Sequence, residues 1–322
     1  MTLAKGLSPE AALASRAHFA ADVRYYLLQD PRQLPSRYFY DDLGSSLFEA
    51  ICRLPWYALT RAEMRLLDTH AREILDDSVA TIVELGSGSG EKMSTLIAAA
   101  RGEAAIDVHL IDVSASALAE ATQRLGTFRH VRVSAHQTTY EAGLQEFAAA
   151  RPPQRALALF LGSNIGNFDP PGREAFLRLV RRALAAGDHL LLGVDLIKPE
   201  RDLQLAYDDP LGVTAAFNRN LLVRINQELD GDFDLAGFSH QARWNADHSR
   251  IEMHLVSTRA QHIRIAAADL EFSMAAGDSI WTESSYKFDA AQVIDIVEHC
   301  GFRVEAQWRD TDGFALTSAR AV

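Results

Sequence analysis

The chain has 322 residues, 48% of them hydrophobic, enough for one large domain or two modest ones with real cores. Its formal net charge of −11 repels phosphate backbones and anionic lipid, so neither nucleic acid nor a membrane surface is an expected partner. The two cysteines, Cys52 and Cys300, exclude a disulfide framework or a Cys-based zinc site and suit a reducing cytoplasm.

The first 75 or so residues read as helical and rich in tyrosine. They hold no continuous apolar core of a secretion signal, and no stretch of the chain approaches the roughly 20 apolar residues of a bilayer span. The expectation is a cytoplasmic monomer. From Ala80 the pattern changes to short β-rich runs alternating with helical ones. ATIVELGSGSG is a strand ending in a glycine loop, and EKMSTLIAAARG is a helix, with Met93, Leu96, Ile97 and Ala100 at helical spacing. DVHLIDVS is the next strand and SASALAEATQRLG the next helix, with Ser114 or Ser116 available as its cap. VRVSAHQTTY is a third strand leading into a loop, and ALALFLGSNIGNF is a fourth strand.

Asp169-Pro170 is a good N-cap and first-turn pair for the helix REAFLRLVRRALAAG, after which HLLLGVDL is a fifth strand. The tail adds the helix DAAQVIDIVEHCG and the strands FRVEAQWRD and GFALTSARAV, joined by the turn-like TDG, which can pair antiparallel at the sheet edge. Near-continuous apolar strands alternating with helices imply a parallel sheet covered on both faces. The fold class is α/β: a Rossmann-like, seven-stranded, doubly wound sheet.

Two segments break the alternation: the N-terminal one, and about Ile197 to Lys287, which is far too long for a loop. In the latter, Ile251, Met253 and Leu255 face one way and Glu252 and His254 the other, a strand pattern with one largely wet face. The expected organisation is a sheet domain of residues 61–196 plus 287–322. Residues 15–60 plus 197–286 form a second, α+β domain that binds substrate.

VELGSGSGEK places glycines at 86, 88 and 90 between a strand and a helix. The first permits the tight turn; the others let backbone amides approach a ligand at the helix N-terminus. NAD-type sites prefer G-x-G-x-x-G, whereas this is G-x-G-x-G preceded by Glu84, a form that favours S-adenosylmethionine. Asp112, at the next strand tip, is placed to accept from ribose hydroxyls, and Lys92 to pair with a carboxylate of the cofactor. A glycine turn that merely packs helix on strand is the bland alternative. The 11 histidines show no H-E-x-x-H or comparable spacing, so no metal is expected, and His254 and His262 read as surface residues.

Several stretches carry a wider resemblance: RYFYDDLGSSLFEAICRLPWYALTRAE, VELGSGSGEK, FLGSNIGNF, AYDDPLGVTAAFNRNLL and TESSYKF. In order and content they resemble the bacterial L-histidine Nα-methyltransferases of ergothioneine biosynthesis, over nearly the whole chain from about residue 20. The resemblance implies S-adenosylmethionine as cofactor, bound by Gly86, Ser87, Gly88, Lys92, Asp112, Thr139, Tyr140 and Gly162. It implies that Tyr57, Asn167 and Tyr207 hold the amino and carboxylate groups of histidine, and that Glu283 and Ser285 recognise its imidazole. Met253 and Phe217 are supporting wall, and Tyr40, near the amine, joins Asn167 as the catalytic pair. Where close relatives carry an acid and an aromatic in the adenine loop, this chain reads Gln137-Thr138-Thr139-Tyr140, so adenine recognition there rests on uncharged groups.

The chemistry suits these residues. An asparagine can donate to a carboxylate and accept from an ammonium with one side chain, whereas an acid there repels the substrate's own carboxylate. A carboxylate facing imidazole selects a donor ring, because a buried unpaired carboxylate is costly. The rival readings are an N-methyltransferase acting on another amino acid or an imidazole metabolite, a non-catalytic cofactor-binding protein, and an NAD-dependent oxidoreductase.

Overall fold

The computed structural model describes residues 9–76, 78–100, 105–150 and 154–322. In chain order the helices and strands are α1 (Pro9–Leu27), α2 (Asp42–Cys52), α3 (Leu59–Ile74), β1 (Val79–Leu85), α4 (Glu91–Ala100), β2 (Ile106–Asp112), α5 (Ala115–Leu125), β3 (Val131–Gln137) and α6 (Tyr140–Ala150). β4 (Arg155–Phe160), α7 (Pro170–Ala183), β5 (His189–Asp195), α8 (Glu200–Tyr207) and α9 (Val213–Leu229) follow. The chain ends with β6 (Phe238–Asn245), β7 (Arg250–Ser257), β8 (Gln261–Ile265), β9 (Leu270–Met274), β10 (Ser279–Tyr286), α10 (Ala290–His299), β11 (Phe302–Asp310) and β12 (Phe314–Ala321). No helix among the described residues is long and apolar enough to cross a membrane.

The chain divides into two compact units: one takes in the chain up to Tyr57 together with Pro199–Ser285, the other Ala58–Lys198 together with Tyr286–Val322. The second unit, the sheet unit, is built on seven strands in the order β11-β12-β5-β4-β1-β2-β3. β1 to β5 are mutually parallel, while β12 runs antiparallel between β5 and β11. The α/β sheet read from the sequence is therefore the fold, with the closing antiparallel pair at its edge. β1, β4 and β5 are buried almost end to end, which is why their sequences are apolar without alternation. Phe160, Leu192, Phe176 and Val83 share one core, and fully burying a side chain of this size contributes roughly 1.5–3 kcal/mol. α7 starts as its cap predicts: Asp169 Oδ1 accepts from the Gly172 N–H at 2.8 Å, with Pro170 in the first turn. One element was missing from the sequence reading. The segment after β3 is not a loop but α6, whose YEAGLQEFAAA buries Gly143, Leu144 and Phe147.

Asp195, at the end of β5, binds the Lys198 ammonium through Oδ1 at 2.7 Å and the Lys287 ammonium through Oδ2 at 2.9 Å. Its carbonyl accepts from the Phe288 N–H, and Leu196 pairs with Phe288 as a parallel bridge. The segments that leave and re-enter the sheet unit at these points thus run side by side.

The other unit combines α1, α2, α8 and α9 with a three-stranded sheet, order β10-β7-β6, and a two-stranded ribbon, β8 with β9. α8 and α9 both pack on β6 and β7. The expectation of a wet face on β7 fails. Glu252 is tied to Asn245 and Arg250, and His254, only 7% exposed, stacks on Trp281 with ring centroids 6.1 Å apart. β7 is the central strand, so neighbours on both sides cover the face that the sequence alone leaves open. His262, on the ribbon, is exposed as expected.

Candidate active site

β1 delivers the chain into the glycine loop. Gly86 has φ +78°, and a Cβ there would lie 2.8 Å from Tyr140 Oη and 2.9 Å from Asn164 Nδ2, so only glycine fits. Ser87 is buried, and its Oγ has no hydrogen-bond partner among the described residues. Gly88 is exposed with open space where a side chain would project, and its N–H donates to Asp112 Oδ2 at 3.2 Å. Gly90 does different work from that expected of it. A Cβ there would press Ala121 at 2.9 Å, so this glycine lets α4 pack on α5, and its N–H donates to the Ser87 carbonyl at 3.0 Å.

Asp112 closes β2. Its Oδ1 accepts from the Ser114 N–H at 2.9 Å, and Ser114 in turn caps α5 by accepting from Ala117. Burial pushes the Asp112 carboxyl up, against the pull of the backbone donors from Ser114, Gly88 and Val113. A carboxylate offers about four lone-pair sites, so it can take further donors beside these.

Lys92, in the first turn of α4, lies 2.6 Å from Glu63 Oε2, and a Cβ on Gly162 would meet its Nζ at 2.9 Å. Gly162 has φ +73°, the turn that lets the backbone leaving β4 pass this ammonium. Glu84 lies behind the loop, 1% exposed. Burial pushes its carboxyl up to about 8; Lys92 opposes the rise, and Glu63 and Asp112 add to it.

Thr139 and Tyr140 stand at the start of α6. Thr139 is exposed and its Oγ1 accepts from the Ala142 N–H at 3.4 Å, a loose cap for that helix. The Tyr140 ring goes into the core, 5.6 Å from Phe160 and 5.7 Å from Phe176, so it is the hydroxyl edge that reaches the glycine loop. Burial also pushes the Tyr140 phenol up.

These residues fit S-adenosylmethionine. A cradle that a Cβ would fill, an orphaned buried hydroxyl at Ser87, an acid at the second strand tip and an ammonium at the helix start match a ligand with a diol and a carboxylate.

Asn167 ends a short 3₁₀ turn, Asn164–Asn167, after β4. Ile165 is buried, Phe168 stacks on Phe176 at 4.9 Å, and a Cβ on Gly166 would strike the Tyr286 carbonyl at 2.8 Å. Packing on both sides thus fixes the half-buried Asn167, whose amide has no hydrogen-bond partner among the described residues.

In the other unit the structure joins most of the substrate candidates. Tyr207 Oη and Ser285 Oγ are 2.8 Å apart and both residues are buried. The rings of Tyr57 and Tyr207 lie 6.1 Å apart, and those of Tyr40 and Phe217 5.8 Å apart. Phe48 links these pairs, with centroids 5.6 Å from Tyr40, 6.0 Å from Phe217 and 6.4 Å from Tyr57. Glu283 is half-buried on β10, and Met253 is buried on β7. Behind them runs a buried network. Asn218 Nδ2 donates to His240 Nδ1 at 2.8 Å, and His240 Nε2 donates to the Tyr207 carbonyl at 2.8 Å. Thr282 Oγ1 donates to Asn218 Oδ1 at 2.7 Å. Burial lowers the His240 pKa, which favours the neutral tautomer that this geometry requires.

Sequence reasoning missed Glu63, Phe48, Asn164 and the His240–Asn218 pair. Asn164 sits inside the FLGSNIGNF stretch and Glu63 ends the quoted RAE, but nothing in their spacing signals a buried role. Among the described residues no group of three His, Cys, Asp or Glu side chains is arranged to hold a metal.

Comparison with known proteins adds independent support. The chain is 43% identical over 302 residues to the histidine N-alpha-methyltransferase of Mycolicibacterium smegmatis, covering 92% of this chain and 93% of that protein. It is 41% identical over 302 residues to the histidine N-alpha-methyltransferase of Mycobacterium tuberculosis, with the same coverage of 92% and 93%. It is 29% identical over 293 residues to ergothioneine biosynthesis protein 1 of Schizosaccharomyces pombe, covering 87% of this chain but 37% of that longer protein. The family described as histidine-specific, SAM-dependent methyltransferases matches residues 19–321, and the chain belongs to it.

Proposed function

We propose that the protein transfers methyl groups from S-adenosylmethionine to the α-amino nitrogen of L-histidine, in succession to the trimethylated betaine, as the first step of ergothioneine biosynthesis. The observation that carries this is the near-full-length similarity, at 41–43% identity, to two proteins named for that activity. The intact glycine loop, Asp112 and Lys92 support catalysis over a mere binding role.

The bound cofactor supplies a methyl group on a sulfonium, open to in-line attack by an amine lone pair. The chain's own residues must then position the amino acid and leave its amine free to attack. Asn167 and the hydroxyls of Tyr57 and Tyr207 are assigned to the amino and carboxylate groups, and Tyr40 to the side of the amine. All are uncharged, so none stabilises the protonated ammonium as strongly as a carboxylate would. A histidine ammonium loses its proton readily enough near neutral pH that no strong base is required. Glu283 and Ser285 take the imidazole; the Tyr207–Ser285 hydrogen bond gives the α-amino end and the ring end of the substrate a shared anchor. On this reading the unit containing α1, α2 and β6–β10 is the substrate-binding domain, and the sheet unit holds the cofactor with Gly86, Ser87, Gly88, Lys92, Asp112, Thr139, Tyr140 and Gly162. The enzyme acts in the cytoplasm as a monomer.

Mass spectrometry of the purified protein with S-adenosylmethionine and a panel of amino acids tests this. Histidine gaining three methyls, with partial products fading, is the expected result. Methylation of a different amino acid overturns the assignment of Glu283 and Ser285.

A further inference from the structure

We propose that Glu63 is a positioning residue for the cofactor, fixing the Lys92 ammonium and the Gly162 turn in the places from which they meet the carboxylate of the methionine moiety. This rests on the reading of Lys92 as the anchor of that carboxylate.

Glu63 lies on α3 and is 0% exposed. A carboxylate in such a place is costly unless both oxygens are engaged. Both are, in different ways: Oε1 accepts from the Gly162 N–H at 2.8 Å, while Oε2 has no aligned hydrogen-bond donor among the described residues and is held by the charge of the Lys92 ammonium 2.6 Å away. Room is made for it on β5, where a Cβ on Gly193 would stand 2.3 Å from Oε1. One side chain therefore ties four segments together: α3, the start of α4, the exit of β4 and the middle of β5.

The chemistry requires an acid and not merely a polar group. Two donors, a backbone N–H and an ammonium, converge on this side chain, and glutamine carries a single acceptor oxygen. With Glu63→Gln, one donor must face an N–H group, and the ammonium loses its counter-charge. The burial of Glu84 fits the same picture. One ammonium serves Glu63, and Glu84 beside it stays protonated.

The test uses the full chain as wild type, Glu63→Gln, Lys92→Met and the double variant. S-adenosylmethionine binding is read by calorimetry, and kcat and KM by steady-state assay. Lys92→Met and Glu63→Gln should each weaken cofactor binding on the order of tenfold or more and raise KM for S-adenosylmethionine by a similar factor, well beyond any change in KM for histidine. The double variant should lose less than the product of the two single losses, because part of the Glu63 effect passes through Lys92, which a merely structural role for Glu63 does not produce. Wild-type affinity in Glu63→Gln, or losses that multiply in the double variant, overturns the inference. Wild-type affinity in Lys92→Met overturns the reading of Lys92 on which it rests. Should Glu63→Gln not fold, Glu63→Asp, with both acceptors one methylene short, replaces it under the same expectations.

Discussion

Replacing Glu84 by glutamine should change how stability depends on pH. The side chain is 1% exposed, its Oε2 has no hydrogen-bond partner among the described residues, and burial lifts its pKa from 4.5 to about 8. The folded chain keeps this proton up to about pH 8, whereas the unfolded chain releases it near 4.5. Between those values the folded state binds more protons, so stability falls as pH rises, by about 1.4 kcal/mol per unit. The contribution is complete below the unfolded pKa and is lost as pH passes through the folded one. From about pH 6 to about pH 9 the loss is roughly 2–3 kcal/mol. Glutamine has nearly the same shape and nothing to ionise. Thermal unfolding at the two pH values should therefore show the wild type losing roughly 3–4 °C more in Tm than Glu84→Gln. Equal losses in the two proteins would refute a protonated Glu84.

Two further outcomes follow from the site. Glu283→Ala should lose most of its preference for histidine over tryptophan or phenylalanine in a competition assay, because the cost of an unpaired carboxylate against a carbon ring is gone; an unchanged preference would remove Glu283 from the specificity role. Gly86→Ala should weaken S-adenosylmethionine binding by about tenfold or more in calorimetry, since its Cβ strikes Tyr140 Oη at 2.8 Å in a left-handed turn; normal binding would show that the loop can re-form around a side chain.

The sheet was legible because buried parallel strands write themselves as apolar runs, and the glycine loop and Asp112 because a ligand-binding turn needs those residue types at fixed positions. α6 was not legible: YEAGLQEFAAA begins straight after a strand and buries only a few residues, so it read as a loop. The environment of His254 was hidden because burial on a central strand depends on which strands lie beside it, and Trp281 is 27 positions away. Glu63 was hidden for the opposite reason. A lone acid on an amphipathic helix is normally solvated, and only the space left by Gly193 and the donors at Gly162 and Lys92 make it an interior group. Tyr40, Tyr57 and Tyr207 looked like ordinary packing residues one at a time; Phe48 against Tyr40 and Tyr57, and Tyr207 against Tyr57, make them a cluster.

The clasp at Asp195 bears on how such a protein can change over time. Lys198 and Lys287 meet on one carboxylate, and Leu196 pairs with Phe288, so the long segment between them begins and ends at a single spot on the sheet unit. A segment with neighbouring ends is a cassette. It can lengthen, shrink or be exchanged without rethreading the sheet, because the entropy of closing a loop rises only slowly with its length. The sheet unit can then stay fixed while the cassette changes together with the N-terminal α1 and α2 that pack on its α9, so a foreign cassette spliced between Asp195 and Lys287 must bring its own N-terminal partner.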